Sequence, residues 1–313
     1  MVLIKYNTIY LHSHSCDSLC PFMMGYGLYN NNFLISLSVK DRDIFLCLLV
    51  FFHRTSIPYL RSMEAFSISL PKSWEELTDE QLLFFFRQVA RDLPMNEVLA
   101  LCVCKWAELV VLCHTDKHAY LIKDKKSKRQ VVLADWQVTF AARQLAFLES
   151  FAPMPVRIAV IGGASAVAAD LQAVPFEDYL ACENYYQGFL HTQSMECLAE
   201  MAHLLYPKLS DSACLENAVL LSVFYWFASV KAYFSRLFPH FFAAVPVADR
   251  NLLGNAPKDI GEELRQAMNA QIRALTGGDI TKEEAILQMD CWRALTELDA
   301  KAKEAEDLRK QLN

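Results

Sequence analysis

Two histidines and two cysteines lie within nine residues near the start of the chain, in the stretch HSHSCDSLC. Imidazole and thiolate groups are ligands that zinc prefers, so His12, His14, Cys16 and Cys20 are candidate metal ligands. Structural zinc sites normally bring two ligand pairs together, however, and no second Cys/His pair follows nearby in the sequence. We therefore predict no metal at this stretch and interpret it as an incidental N-terminal segment.

A second group of metal-binding residue types lies in the stretch CVCKWAELVVLCHTDKHAY. We place Cys102 and Cys104 on a helix, where residues two apart point in directions about 200° apart and cannot chelate one ion together. We place His114 and His118 at the ends of a hairpin turn and interpret Cys113, like the other cysteines, as a buried free thiol. The sequence therefore predicts neither a metal nor a cofactor.

Motifs for phosphate binding and catalysis are incomplete or absent. The stretch VIGGASAV, at Val160–Val167, is glycine-rich, but dinucleotide-binding loops need G-x-G-x-x-G and P-loops end in Gly-Lys-Ser/Thr. We interpret it as a loop that enters an alanine-rich helix. The sequence also lacks the motifs of nucleophile elbows, HExxH metalloproteases and kinases. We therefore predict no catalytic residues and a non-enzymatic protein.

Composition indicates a sizeable core and an acidic chain. The 313 residues are 54% hydrophobic and 21% charged, which argues against general disorder. Only 9 glycines are present, and this favours helices over a turn-rich β-sandwich. The formal net charge of −6 gives no overall attraction to nucleic acid. Ten scattered cysteines without a convincing secretory signal favour a reducing compartment.

Hydrophobic periodicity predicts a mainly α fold, an irregular helical bundle with one small β-hairpin and a charged C-terminal helical extension. Thr78 and Gln81 have the spacing of a capping box at the start of one helix. The stretch from Asn217 to Val230 has no charged residue and predicts a central core helix. Short β-branched segments predict the β-hairpin near residues 108–134.

The chain divides into three predicted regions. Residues 1–62 show no steady period, whereas Met63 precedes an orderly strand, turn and capped helix. We leave open whether residues 1–62 belong to the functional protein. Residues 63–254 form the predicted helical core domain, and residues 255–313 form amphipathic C-terminal helices that end in a nearly continuous run of charge.

An apolar stripe on the C-terminal helices is the predicted partner-binding site. Ile286, Met289, Trp292 and Leu295 recur every three or four residues, as expected for one helix face. A stripe that leads into a charged tail is typical of a helix that pairs with another helix. The competing interpretation is burial of these four residues in the chain's own body. If they bind a partner, deleting residues 279–313 should alter assembly without unfolding the rest.

A basic turn gives an alternative function. The stretch KDKKSKR lies between two predicted strands, and its Lys125, Lys126, Lys128 and Arg129 could contact a phosphate backbone. Such a run is more often a solvated turn, and the acidic balance of the chain argues against nucleic acid.

Membrane association is a third hypothesis. The run Ile44–Phe52 has nine apolar residues, whereas a bilayer span needs about 20. In a later aromatic segment, Phe227, Lys231, Phe234 and Phe238 would share one helix face, which would serve as core, partner surface or membrane contact. We favour the core interpretation for this segment.

Three segments carry a resemblance to other proteins: SLPKSWEELTDEQLLFFFRQVA, VPFEDYLACENYYQGFLHT and ALTGGDITKEEAILQMDCWRALTELDAKAKE. In these segments the chain resembles uncharacterised proteins encoded by phages and prophages of gut bacteria. The resemblance covers about residues 63–313, and such proteins are encoded among structural and tail-assembly genes. It implies a non-enzymatic structural or assembly-accessory protein in the bacterial cytoplasm or the virion. The implied partners are phage structural proteins or further copies of the chain.

Overall fold

The computed structural model describes residues 68–116, 119–125, 128–210, 215–242 and 260–312. These ranges contain nine α-helices: α1 Asp79–Val89, α2 Met95–Trp106, α3 Asp135–Arg143, α4 Phe176–Thr192, α5 Met195–Leu205, α6 Asn217–Leu237, α7 Ile260–Thr276, α8 Glu283–Leu287 and α9 Cys291–Leu312. They also contain five strands: β1 Leu109–Asp116, β2 Ala119–Asp124, β3 Gln130–Ala134, β4 Val160–Ile161 and β5 Ala164–Ser165. The predicted mainly α fold is confirmed.

Helix α1 begins at the capping box that the sequence predicts. The Thr78 hydroxyl accepts a hydrogen bond of 3.2 Å from the Gln81 amide, and the Gln81 side chain accepts one of 3.0 Å from the Thr78 amide. These bonds satisfy two backbone donors at the helix start. The helix then buries Leu82, Phe85 and Phe86, and it packs against α6.

Helix α6 lies at the centre of the core. Every residue from Ala218 to Val230 is buried, as its uncharged sequence predicts. Its length and composition would allow a membrane span, yet 72% of its most apolar window is buried inside the protein. The indole Nε1 of Trp226 donates a 2.7 Å hydrogen bond to the carbonyl of Ala169. Phe227 and Phe234 are fully buried, so the core interpretation of the aromatic segment is confirmed.

The sheet extends the predicted hairpin by one strand. β2 and β3 pair antiparallel around the basic turn, and β1 pairs antiparallel with the other edge of β2. Ile122 and Leu133 are buried on the face next to the helices. On the opposite face, Val132 is 55% exposed.

The glycine-rich stretch forms a small hairpin instead of the predicted loop before a helix. β4 and β5 pair antiparallel, and Gly162 and Gly163 form the turn at φ +56° and +83°. Positive φ at both central residues is the geometry of the tight turns that match strand twist. Residues 166–175 are not helical, so the predicted alanine-rich helix was wrong. Tertiary hydrogen bonds hold this segment instead, including the Val167 amide to the Leu205 carbonyl.

The C-terminal region belongs to the same compact unit, Leu70–Asn313, as the helices that precede it. Gly277 and Gly278 end α7 at positive φ, which glycine adopts without steric cost. The apolar stripe that follows is divided between α8 and α9. Between them, Asp290 forms an antiparallel bridge with Pro175, at the start of α4.

Candidate partner-binding site

The structure buries one of the four residues of the predicted C-terminal stripe and leaves the other three half-buried. Leu295 has no exposed surface, and the Trp292 ring lies edge-on to Phe234 with centroids 5.5 Å apart. Ile286 and Met289 are half-buried, and the Met289 carbonyl accepts a 2.7 Å hydrogen bond from the Phe176 amide. Of the two interpretations that the sequence left open, burial in the chain's own body applies to Leu295, while partner binding by the half-buried Ile286, Met289 and Trp292 remains a prediction.

The charged end of α9 is the part of this region that projects into solvent. From Lys303 to Leu312 every side chain is exposed, and Leu308 and Leu312 are 59% and 86% exposed. Glu306 accepts from Lys310 at 2.7 Å and contacts His240 at 3.1 Å. Proximity to Lys310 and His240 lowers the pKa of the Glu306 carboxyl. The predicted extension is present, and Leu295, near its start, is buried in the core.

The basic turn is exposed where the structure describes it. Lys125, Lys128 and Arg129 are exposed in the connection between β2 and β3, and Lys128 adopts φ +60°. Lys126 lies outside the described residues. Nucleic-acid binding by this turn remains a prediction.

The cysteines occupy different environments. Cys102 is buried, and burial raises the pKa of its thiol to about 12; burial also raises the pKa of Cys104. Cys113 is exposed in β1, so its predicted burial was wrong, because its strand lies at the edge of the sheet. Cys16 and Cys20 lie outside the described residues, as do His12, His14, His118 and the apolar run 44–52. The part of the chain that is described contains no group of three or more potential metal ligands.

Exposed apolar side chains concentrate on one part of the protein, formed by α2, the three-stranded sheet and α3. Twelve large apolar side chains are exposed among the described residues, and six of them lie between residues 95 and 143. The six are Leu101, Val111, Leu112, Val132, Trp136 and Phe140. Trp136 and Phe140, 61% and 52% exposed, lie one turn apart on α3. Apolar clusters of this kind mark interaction surfaces.

Leu101 and Val111 line a groove between α2, α3 and the sheet, and we call it the α2–α3 groove. It encloses about 1000 Å³ of space, including its open mouth. Nine of its twelve lining residues come from the two helices: Asn96, Glu97, Ala100, Leu101 and Cys104 from α2, and Asp135, Val138, Thr139 and Ala142 from α3. The sheet supplies the other three: Val111, Tyr120 and Ile122.

The polar groups of the α2–α3 groove are mainly acidic or neutral. Glu97 lies in the first turn of α2, and Asp135 is the first residue of α3. Burial, the negative charge of Asp135 and a hydrogen bond to that carboxylate raise the pKa of the Tyr120 phenol. The phenol therefore stays protonated and donates to Asp135. Lysine and arginine do not occur among the described lining residues.

A second cavity, of about 740 Å³, lies between α4, α6 and α7. Its wall contains an ion pair between Lys231 and Glu183, whose side chains are only 17% and 21% exposed. Gln187 donates a 2.8 Å hydrogen bond to the Glu183 carboxylate, and the Lys231 amine lies 5.1 Å from the centroid of the Tyr186 ring. These partners satisfy both charges, so the pair has a structural role in joining α4 to α6.

Sequence reasoning missed the α2–α3 groove because its residues come from three separated segments. Trp136 and Phe140 are exposed on α3 but do not line the groove, so their spacing in the sequence gave no signal of it.

Comparison with protein-family models, curated proteins and solved structures finds no match to this chain. The fold and the groove describe a mainly α protein with an open, largely apolar groove, whose lining includes Glu97 and Asp135.

Proposed function

We propose that this chain is a non-enzymatic structural or assembly-accessory protein of phage origin that binds a protein partner at the α2–α3 groove. The observation that supports the proposal is that two exposed apolar side chains, Leu101 and Val111, line this groove, in the stretch of the chain that contains half of the exposed large apolar side chains among the described residues. Large exposed apolar side chains in contact with water are costly, and a partner that covers them gains about 25 cal/mol per Å² of apolar area.

The chemistry of the groove favours binding over catalysis. Burial keeps the Cys104 thiol protonated, and a protonated thiol is a poor nucleophile. The Tyr120 phenol is likewise held in its neutral form beside Asp135. What the groove offers is an apolar floor with a few polar groups, which is typical of a recognition site. The resemblance to phage and prophage proteins supports a structural protein as the partner.

Site-specific photo-cross-linking in the bacterial host tests this proposal. A benzoylphenylalanine at Leu101 or at Val111, on the rim of the groove, should capture one discrete protein. The matched control is the same probe at Ile280, which is 79% exposed but lies outside the groove, between α7 and α8. Equal capture at all three positions, or none at the groove, would contradict the proposal. Identification of the captured protein as a capsid or tail component would support the phage assignment.

A further inference from the structure

We infer that the outer edge of β3 accepts an extended segment of a partner protein as a fourth, antiparallel strand, and that this segment carries aspartate or glutamate at its C-terminal end. The site is separate from the α2–α3 groove, because no residue of β3 lines that groove. The inference therefore does not rest on the proposed function. It follows from the backbone of β3, from the regularity of this strand and from the charge beside it.

The backbone of β3 directs polar groups away from the sheet. In the order β1-β2-β3, the strands of the described residues flank β3 on one side only. The Asp124 amide donates a 2.9 Å hydrogen bond to the Arg129 carbonyl, at the end of the β2–β3 ladder. Hydrogen-bonded and non-hydrogen-bonded pairs alternate in an antiparallel ladder. Val131 therefore bonds to β2, whereas Gln130 and Val132 direct their N–H and C=O groups outward.

These outward groups are open to a partner strand. Gln130 is exposed, and Val132 is 55% exposed. Within the part of the chain that the structure describes, no backbone hydrogen bond occupies the outer edge of either residue. At the next outward position the edge is closed, because the Ala134 amide donates a 2.8 Å hydrogen bond to the Gln137 side chain. A partner strand can thus pair with β3 at Gln130 and Val132.

The other edge of the sheet, β1, is less suited to strand addition. Its pairing with β2 shifts register twice, between Val111 and Cys113 and between His114 and Asp116. Such irregularities kink an edge and disfavour a further strand. β3 pairs with β2 without a shift, and its sequence QVVLA contains neither proline nor a charged residue. β3 therefore lacks the features by which edge strands usually resist addition.

The end of β3 next to Gln130 is positively charged. Lys125 and Lys128 are exposed there. Among the described residues at this turn, four cations outnumber two carboxylates: Lys123, Lys125, Lys128 and Arg129 against Asp124 and Glu108. An antiparallel partner strand places its own C-terminal end beside the start of β3, so acidic residues at that end would face the cations.

Three fluorescein-labelled peptides with amidated C-termini, added to the full chain, test this inference by fluorescence anisotropy. All three alternate valine and threonine. One carries two glutamates at its C-terminal end, the second carries them at its N-terminal end, and the third carries two lysines at its C-terminal end. We expect the first to bind about 5-fold more tightly than either of the others at low salt. This preference should shrink as sodium chloride screens the charges.

A backbone variant of the chain locates the binding. Val132→Pro removes the outward N–H without removing a hydrogen bond to β2, and it should weaken binding of the first peptide at least about 5-fold. The matched control, Val132→Thr, keeps that N–H and a β-branched side chain, and its affinity should stay within about 2-fold of the unchanged chain. Far-UV circular dichroism checks that both variants are folded.

A charge variant decides the question even if Val132→Pro does not fold. Lys125→Gln/Lys128→Asn should reduce the preference for the first peptide to less than about 2-fold. Asparagine is chosen because Lys128 has a φ of +60°, which asparagine tolerates. The control, Lys208→Gln/Lys303→Gln, removes two exposed lysines elsewhere and should retain the preference.

Several outcomes would overturn this inference. Equal binding of the three peptides, no binding of any, or unchanged affinity in folded Val132→Pro would exclude an acidic added strand. Tighter binding of the peptide with N-terminal glutamates would exclude the antiparallel direction. Preferential binding of an oligothymidine would assign the cations to nucleic acid, and self-association that Val132→Pro abolishes would assign the edge to a second copy. Photo-cross-linking at Leu101 tests the groove separately, so neither result decides the other.

Discussion

The indole Nε1 of Trp292 donates a hydrogen bond of 2.7 Å to the backbone carbonyl of Asp170. The same ring lies 6.0 Å from both Tyr233 and Phe238, measured between ring centroids. Trp292 thereby joins the start of α9 to the loop before α4 and to the end of α6. Trp292, one of the residues that the sequence marks as a partner contact, is half-buried and also anchors α9 to the rest of the protein.

Replacement of Trp292 should therefore lower the stability of the folded chain. Trp292→Ala is expected to reduce the free energy of unfolding by about 3 kcal/mol, because aromatic packing and a hydrogen bond are both lost. Trp292→Phe keeps an aromatic ring but leaves the Asp170 carbonyl without its donor, and should cost about 1–2 kcal/mol. Denaturant unfolding measures the loss of stability in both variants. The control is Trp136→Ala on exposed α3, which should change stability by less than about 1 kcal/mol.

Truncation should separate the two parts of the C-terminal region. A chain that ends at Ala300 retains the buried Leu295 and Leu298, and it retains Asp299, which accepts a 2.8 Å hydrogen bond from the His240 amide. It loses only exposed turns and the contact between Glu306 and His240, so it should remain folded and lose less than about 1 kcal/mol.

A chain that ends at Gly278 should not fold stably, because it removes the buried face of α9 from the core. Deletion of residues 279–313 is therefore not a clean test of partner binding. Far-UV circular dichroism and denaturant unfolding distinguish the two truncations. Native stability in the shorter chain would show that α9 does not complete the core.

The ion pair between Lys231 and Glu183 predicts a non-additive pair of substitutions. Lys231→Met alone leaves a mostly buried carboxylate without its cation, and should reduce the free energy of unfolding by about 2–3 kcal/mol. The double variant Lys231→Met/Glu183→Leu removes both charges and should lose less than Lys231→Met does.

The corresponding control is the exposed pair of Arg87 and Glu216, with side chains 49% and 56% exposed. Arg87→Met should cost no more than about 1 kcal/mol, since water screens this pair. A double-mutant cycle by denaturant unfolding measures both couplings. If the effects of the Lys231 and Glu183 substitutions on the free energy of unfolding simply add, the two charges do not stabilise each other.

The exposed aromatic pair on α3 should be dispensable both for folding and for partner capture at the groove. Trp136→Ser/Phe140→Ser removes apolar surface that is already largely in contact with solvent, so stability should change by less than about 1 kcal/mol. Neither side chain lines the groove, so cross-linking from the Leu101 probe should stay within about 2-fold of that of the unchanged chain. A large loss of capture by a folded double variant would extend the partner contact to the outer face of α3.

Thiol reactivity should follow burial. Cys113 is exposed, whereas burial raises the pKa of Cys102 and of Cys291 to about 12 and keeps both thiols protonated. Iodoacetamide at pH 8 should therefore modify Cys113 in the native protein, and Cys102 and Cys291 only after denaturant is added. Peptide mass spectrometry measures the rate at each site, and rapid native labelling of Cys102 would contradict its buried position.

The same thiols predict the direction of alkaline destabilisation. A free thiol in the unfolded chain loses its proton near pH 8.5, while Cys102 in the folded chain keeps its proton until about pH 12. Above about pH 9 the unfolded chain thus binds fewer protons, and the free energy of unfolding falls by about 1.4 kcal/mol per pH unit for each such thiol. In Cys102→Ala the slope between pH 9 and 10.5 should be shallower, whatever the variant's stability at pH 7.

Much of the local structure is predictable from neighbouring residues alone. The capping box of Thr78 and Gln81 depends on two side chains three positions apart, and the glycine pair after Thr276 ends a helix by its own backbone preference. The prediction of a helix in the alanine-rich stretch after Gly163 was wrong because it also relied on local preference alone. Its helix propensity is a weak preference, and tertiary hydrogen bonds to Leu205 and Trp226 override it.

The sequence by itself determined that the chain is mainly helical, that Asn217–Val230 is a core helix and that the C-terminal stripe must be covered by something. Helical period and charge content are local quantities, and they require an apolar face to leave water. Only the tertiary structure decided what covers each face. It placed Leu295 inside the protein and left Leu101 exposed at an open groove, because burial depends on which distant segments pack together.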